Sequence, residues 1–246
     1  MRKFFDYSWL KDVTIGTTGT IIGIILTFGI TYYLDNKNQR SMADKTVMLT
    51  LHNLDSAIDN MESLINEMQQ HDSIYARAMS LMPDSIGIMG SDSLQMIINN
   101  FGSYRIHITD NSTKQIFSSS FEVWQYLDDA KVVGRIGNCY SILSSCDKEY
   151  NRIADLKQKT FQSYIEGGMP DDYPTTEAAA EALLCRSDVR YILHMHNSSI
   201  TLLSTLINIA RQLNERNKEV LGIPQHELDE IGNLLDQQPS ELITGQ

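Results

Sequence analysis

One arginine and two histidines lie close together in the chain and are its most plausible residues for acid–base chemistry. Arg190 precedes His196 by six positions, and His194 lies between them. An imidazole changes its charge near neutral pH, so a histidine can transfer a proton under ordinary conditions. Apolar residues recur at spacings of four and three through this stretch, which predicts a helix with His196 on its apolar face. A hydrogen-bonded core histidine is the alternative interpretation of that position.

The stretch from Arg190 to His196 is similar to the loose Arg-x4–6-His signature of the HEPN family, a group of helical ribonucleases. The resemblance covers seven residues. It implies that Arg190 and His196 act together on an RNA backbone, in a domain that lies in the cytoplasm. Tyr191 departs from the polar residue that is usual after this arginine in the family.

Neither a metal site nor a cofactor site is predicted. His194 and His196 are two positions apart, so on a helix they point to different faces. His52, Asp55 and Asp59 share a helical face, and we interpret them as a solvated face because no further ligand has matching spacing. The sequence contains no glycine-rich phosphate loop, Ser-His-Asp spacing or Cys-x-x-Cys pair. We therefore predict a protein without catalytic residues, and Arg190 and His196 are the residues of the ribonuclease alternative.

Composition excludes several classes of protein. The 246 residues carry a formal net charge of -11, which argues against nucleic-acid binding because that function requires a basic surface. A count of three cysteines is not typical of a fold held together by disulfides. We predict that the three are small buried side chains. Cys139 and Cys146 are seven positions apart on a predicted helix, so about 10 Å separates them and they should not pair.

Residues 13–34 form an uncharged apolar run, long enough to cross about 30 Å of hydrocarbon as a helix. Aromatic residues flank it, with Trp9 before the run and Tyr32 and Tyr33 at its end, as expected at the two membrane interfaces. We predict an uncleaved transmembrane anchor after a short tail of residues 1–12. Small residues share one face of this helix, and we predict that this small-residue face contacts another helix. Its members are Gly16, Gly19, Thr20, Gly23 and Thr27.

The orientation of the anchor rests on its flanking charges. Three basic residues precede the run and three follow it closely, so the positive-inside count is a tie. A short basic tail before an uncleaved anchor usually stays in the cytoplasm. We therefore expect a protein of the bacterial inner membrane with its N-terminus in the cytoplasm and its larger domain in the periplasm.

Residues 35–82 are predicted to form a long helix that continues from the anchor. No glycine or proline occurs between Gly29 and Pro83. Apolar residues alternate at spacings of four and three from Val47 to Met82, and Asp72 is the exception among them. This heptad stripe indicates packing against other helices, either in a bundle or in a coiled coil with a partner. We predict that its central residues form a helix–helix interface: Leu51, Leu54, Ile58, Met61, Ile65 and Met68.

Residues 83–246 are predicted to form a helical domain that packs on this long helix. Residues 139–165 have helical periodicity, and another long helix should begin after Pro174 with Thr175 or Thr176 as its cap. Residues 103–118 could form a small β-hairpin, since apolar and polar residues alternate before a turn at Asp110. The predicted fold class is therefore mainly α, a helical bundle with at most one hairpin.

The layout resembles a family of uncharacterised bacterial single-pass membrane proteins. Four pieces of the sequence carry this resemblance: residues 29–38, Tyr126-Leu127, residues 136–138 and Tyr150-Asn151. Residues 132–134 depart from the small-residue turn that the family tends to have there. The resemblance implies an N-terminal anchor and a helical extracytoplasmic domain, and it adds no activity.

The favoured function is that of a non-enzymatic, membrane-anchored scaffold, a subunit of a homo- or hetero-oligomeric complex formed through the anchor and the long helix. The alternative is a ligand-sensing extracytoplasmic bundle, which would have to signal through a partner because a twelve-residue tail is too short to be an output domain. A pocket with convergent polar groups would favour sensing, and a dry core with an apolar outer strip would favour the scaffold. The HEPN-like ribonuclease is the third hypothesis.

Overall fold

The structure is a computed structural model, and only part of the chain is described. The described residues are 38–82, 85–103, 106–109, 112–119, 124, 127, 129–168 and 172–230. The predicted tail, the predicted anchor and its small-residue face lie outside these ranges. Among the described residues no helix is both long enough and apolar enough to cross a membrane. The anchor at residues 13–34 therefore stays a prediction.

The described part of the chain is mainly helical and contains no strand, which confirms the predicted α class. A short 3-10 helix, Ile86–Met89, accompanies the α-helices. The α-helices are α1 (Asn38–Leu81), α2 (Ser91–Gly102), α3 (Ser112–Ser119), α4 (Ala130–Ile165), α5 (Thr176–Leu184) and α6 (Ser187–Leu221).

Helix α1 runs for 44 residues because nothing in its sequence interrupts the helical hydrogen bonds. Its heptad stripe is buried inside this single chain, which favours the bundle over a coiled coil with a partner. The residues predicted to form a helix–helix interface are all at most 6% exposed: Leu51, Leu54, Ile58, Met61, Ile65 and Met68. A contact of the long helix with a second protein stays a prediction.

The predicted β-hairpin is wrong for its second half. Residues 114–118, expected to be a returning strand, lie in helix α3, where Ser118 Oγ donates to the carbonyl of Lys114 at 2.8 Å. Residues 106–109 form no strand either. Asn151 of α4 accepts from the His107 amide at 2.9 Å and donates to the His107 carbonyl at 2.6 Å. Side chains of a helix thus satisfy the backbone groups that a second strand would have paired.

The predicted last long helix is divided in two. Thr175 caps α5 as expected, since its hydroxyl accepts from the Ala178 amide at 3.1 Å. The chain leaves the helix at Cys185, and α6 begins afresh when the Arg186 carbonyl accepts from the Arg190 amide at 3.1 Å. The helix that carries His196 is therefore α6.

The described chain divides into two compact units, and the three long helices each contribute to both. The described residues of unit 1 lie within 38–54, 112–136 and 215–230. Within it, the Trp124 indole donates to the carbonyl of Phe117 at 2.6 Å and their rings lie 4.9 Å apart. These contacts hold the end of α3.

Unit 2 comprises Asp55–Thr109 and Gly137–Asn214 and is a helical bundle. Its apolar core includes Tyr75 of α1 and Phe101 of α2, whose rings meet edge to face at 6.5 Å. Helix α2 packs on α5, and the Tyr164 hydroxyl of α4 donates to a carbonyl of α5 at 2.9 Å. Burial of this apolar surface is the main term that stabilises the unit.

Candidate ligand-binding cavity

A cavity of about 510 Å³ lies within unit 2, where the middle of α1 faces α4 and α6. Its volume is in the range of about 300–1,000 Å³ that small-molecule sites occupy. Polar and apolar residues line it in equal numbers. The lining residues are Leu64, Glu67, Met68, His71, Asn100, Gly102, Ser103, Tyr150, Ile153, Ala154, Lys157 and His196.

Lys157 of α4 is the most unusual of these residues, because its side chain is buried and carries a charge. It is 8% exposed. Its ammonium donates to the carbonyl of Asn100 at 2.7 Å and lies 5.9 Å from the centre of the Phe101 ring. Among the described residues, no carboxylate forms an ion pair with it. One hydrogen bond and a ring face leave the remaining ammonium protons available to the cavity.

The pKa of Lys157 reflects these surroundings. Burial lowers the pKa of its ammonium from 10.5 to about 8, and Glu67 opposes the shift only partly. Glu67 lies on the exposed edge of α1, so water screens its carboxylate. At neutral pH the cavity therefore contains a cation that the fold compensates poorly.

His196 of α6 is buried against α1 and is 2% exposed. Its Nδ1 lies 3.5 Å from an Asp72 oxygen, and its ring packs edge-on against Tyr75 at 5.9 Å. Burial, reinforced by the charge of Lys157, lowers the pKa of His196 to about 4 although Asp72 acts in the opposite direction. We therefore assign a neutral imidazole at pH 7, and the contact with Asp72 is a hydrogen bond and not an ion pair.

Asp72 explains the polar exception in the heptad stripe of α1. Its second oxygen accepts from the Asn197 side chain at 2.9 Å, so Asp72 binds two consecutive residues of α6. Asp72, the polar residue on the apolar stripe of α1, thus contacts His196, the polar residue on the apolar stripe of α6. Nearby, burial and the charge of Lys157 lower the pKa of His71, which also lines the cavity.

Arg190 and His196 are not brought to one site within the chain. The Arg190 guanidinium donates through Nε to the carbonyl of Leu184 at 3.1 Å, where it holds the start of α6 against the end of α5. His196 lines the cavity, and Arg190 does not. The alternative of a core histidine therefore agrees with the position of His196, whereas the ribonuclease hypothesis stays a prediction.

Asp55 and Asp59, which share a predicted helical face with His52, are engaged in pairs between helices. Asp55, expected to be solvated, is 9% exposed and accepts from Asn214 at 2.7 Å. Asp59 accepts from Arg211 at 2.7 Å. Within the described ranges, no three His, Cys, Asp or Glu side chains are close enough to hold a metal ion.

The cysteines have no partner sulfur. All three are free, and Cys139 and Cys146 are buried as predicted. Burial raises the pKa of both thiols to about 12, so neither is a ready nucleophile. The predicted burial is wrong for Cys185, which is exposed because it lies at the break between α5 and α6.

Lys157 was not among the residues predicted to contribute to a site. Lys157 is four residues from both Ile153 and Phe161, so it shares their face of α4. This helical spacing indicates that Lys157 lies on the buried face of α4. The identity of the groups around it depends on α1 and α2, which are far away in sequence.

The hydroxyl of Tyr75 supplies a test of the packing beside the cavity. It is buried and has no hydrogen-bond partner among the described residues, and burial with the charge of Asp72 raises its pKa. We expect Tyr75→Phe to leave the free energy of unfolding unchanged or to raise it by about 1 kcal/mol, because an unsatisfied polar group is removed. Tyr164→Phe, which loses the bond to Ala179 at 2.9 Å, should lower it by about 1 kcal/mol. Urea unfolding followed by circular dichroism measures both, and a loss for Tyr75→Phe as large as that for Tyr164→Phe would contradict this description.

Comparison of the chain with family models, curated proteins and solved structures gave no match. The cavity of unit 2 therefore has to be interpreted from its own chemistry.

Proposed function

We propose that unit 2 binds a small organic molecule in this cavity and that the chain is a ligand-sensing helical domain, held at a membrane by residues 13–34. The buried ammonium of Lys157, which has no ion-pair partner among the described residues and lines the cavity, carries the proposal. Burying an uncompensated charge costs free energy, and a bound ligand can recover that cost. A structural core would be more stable with an apolar residue at this position.

The scaffold hypothesis receives less support. A scaffold calls for a dry core, whereas polar groups from α1, α4 and the end of α2 converge on the cavity of unit 2. The heptad stripe that was expected to meet a partner is covered within the chain. We therefore place sensing before scaffolding, and we retain a partner only for the transmission of the signal.

In this proposal the signal leaves through the membrane helix. A second membrane protein receives the signal in this proposal. The small-residue face that includes Gly19 and Gly23 is suited to close contact with another membrane helix. Fusion of alkaline phosphatase or a cytoplasm-only fluorescent protein after Gln246 tests the periplasmic orientation. Fluorescence without phosphatase activity would contradict it.

The experiment that tests ligand binding fills the cavity. Ala154 lines it and is buried, so Ala154→Leu should occupy ligand space. Full-length protein in detergent is screened by thermal shift against a library of small organic acids, amines and amides. We expect hits to raise the melting temperature of the wild type, because a ligand at 100 times its Kd stabilises the fold by about 2.7 kcal/mol. The same compounds should not shift Ala154→Leu.

Two further variants make the result decisive. Ser145→Leu adds the same side chain at an exposed position of α4 outside the cavity and should keep the wild-type response. Ser103→Leu narrows the cavity from an exposed lining position and replaces Ala154→Leu if that variant does not fold. A library without hits, or hits that persist when the cavity is filled, would overturn the proposed function.

A further inference from the structure

We infer that the ligand of this cavity is a small organic monocarboxylate whose charged end binds the ammonium of Lys157. The inference rests on the proposed function and specifies the class of ligand. The ammonium is buried, its described contacts are one neutral carbonyl and one ring face, and it lines a cavity large enough for a small molecule. A carboxylate supplies the opposite charge and accepts the remaining N–H bonds.

The charges around the cavity favour a single negative charge on the ligand. Lys157 is the only Lys or Arg among the described residues that line the cavity, and Glu67 contributes a carboxylate at the exposed edge. His71 and His196 have lowered pKa values and add no positive charge at neutral pH. A phosphate with two charges requires more cationic donors than one lysine, commonly a bidentate arginine, so it fits this cavity less well.

The remaining lining residues describe the body of the ligand. Leu64 and Met68 of α1 and Ile153 and Ala154 of α4 offer apolar surface. These residues suit an aliphatic or aromatic group attached to the carboxylate, since burial removes the apolar surface of such a group from water. Tyr150 and the neutral imidazoles can orient a polar substituent. Acetate alone would leave most of the apolar surface uncovered.

Matched pairs of small molecules that differ only in charge provide the test. Butyrate and benzoate are each compared with their primary amides, butyramide and benzamide, by saturation-transfer NMR on full-length protein in detergent at pH 7. We expect both carboxylates to bind at least tenfold more tightly than their amides. Lys157→Met should abolish this preference, because it keeps the length of the side chain and removes the charge. Lys148→Met, at an exposed lysine of the same helix, should behave as the wild type.

Each outcome separates this inference from the proposed function. Amides that bind as tightly as the carboxylates, or a Lys157→Met variant that keeps the tenfold preference, would overturn the monocarboxylate inference. The inference is also overturned if neither carboxylate binds to the wild type. It is overturned as well if the carboxylates that bind to the wild type bind equally well to Ala154→Leu. In all these cases hits of another class in the thermal-shift screen, lost when the cavity is filled, would leave the proposed function standing. Without such hits both proposals fail.

Discussion

Lys157→Met is expected to raise the free energy of unfolding by about 2 kcal/mol at pH 7, although the substitution removes a hydrogen bond. The pKa of Lys157 falls from 10.5 in a solvated chain to about 8 in the fold. That difference corresponds to about 3 kcal/mol of destabilisation by the charged form. Loss of the bond from Lys157 to the Asn100 carbonyl offsets about 1 kcal/mol of the gain. Removal of a buried and poorly compensated charge should therefore stabilise the ligand-free protein.

The pH dependence identifies the cause of this effect. Between about pH 8 and 10.5 the unfolded chain keeps the Lys157 proton and the folded chain releases it, so wild-type stability should rise with pH through this window. The variant lacks this rise, so its advantage over the wild type should shrink across the window. Glu67, His71 and His196 also line the cavity, but they are common to both proteins.

Urea unfolding of full-length protein at several pH values, followed by circular dichroism, measures the difference. Lys148→Met is the matched control, since Lys148 is exposed on the same helix and its removal should change stability by less than about 0.5 kcal/mol. A Lys157→Met variant less stable than the wild type at pH 7 would mean that the ammonium is compensated within the fold. Such a result would remove the main support for an anionic ligand.

Stability at acid pH is expected to depend on His196. Its pKa falls from 6.5 to about 4 in the fold, chiefly because the ring is buried. Between about pH 6.5 and 4 the unfolded chain takes up a proton that the folded chain does not, so stability is lost as the pH falls. The shift corresponds to about 3 kcal/mol over the whole window. Below about pH 4 this residue causes no further loss.

His196→Gln isolates this contribution. Glutamine has a similar size, can donate to Asp72 and does not titrate, so the variant should lose about 3 kcal/mol less than the wild type between pH 6.5 and 4. Glu67 and Asp72, the acidic side chains near the ring, are present in both proteins. His194→Gln, at an exposed position of the same helix, should keep the wild-type profile. Parallel profiles for the wild type and His196→Gln would show that the folded protein accepts a proton at His196.

The local fold was predictable wherever one face of a helix is buried. The apolar positions of α1 recur at spacings of four and three, and the structure buries them as that period requires. Asp72 and His196 were visible in the sequence as polar residues on apolar stripes. Their contact was not predictable, because a period identifies the buried face of a helix and not the residue that lies opposite.

Two features were missed for different reasons. Alternation over residues 104–108 is as compatible with an extended segment as with a strand, and the choice depended on whether a partner strand or a helix supplies the hydrogen bonds. Asn151 and Asp147 of α4 supply them. Lys157 was overlooked because a lysine is usually assigned to solvent, and only the position of α4 in unit 2 shows that its ammonium is enclosed.

The sequence by itself determined the helical class of this protein, the long uninterrupted helix α1 and the cap at Thr175, because these follow from interactions within a few residues of the chain. It also predicts an anchor at residues 13–34 by length and hydropathy alone. Only the tertiary structure decided that Lys157 and His196 line a common cavity. Burial and electrostatic interaction depend on distances between helices, and those distances are properties of the packed unit and not of any one segment.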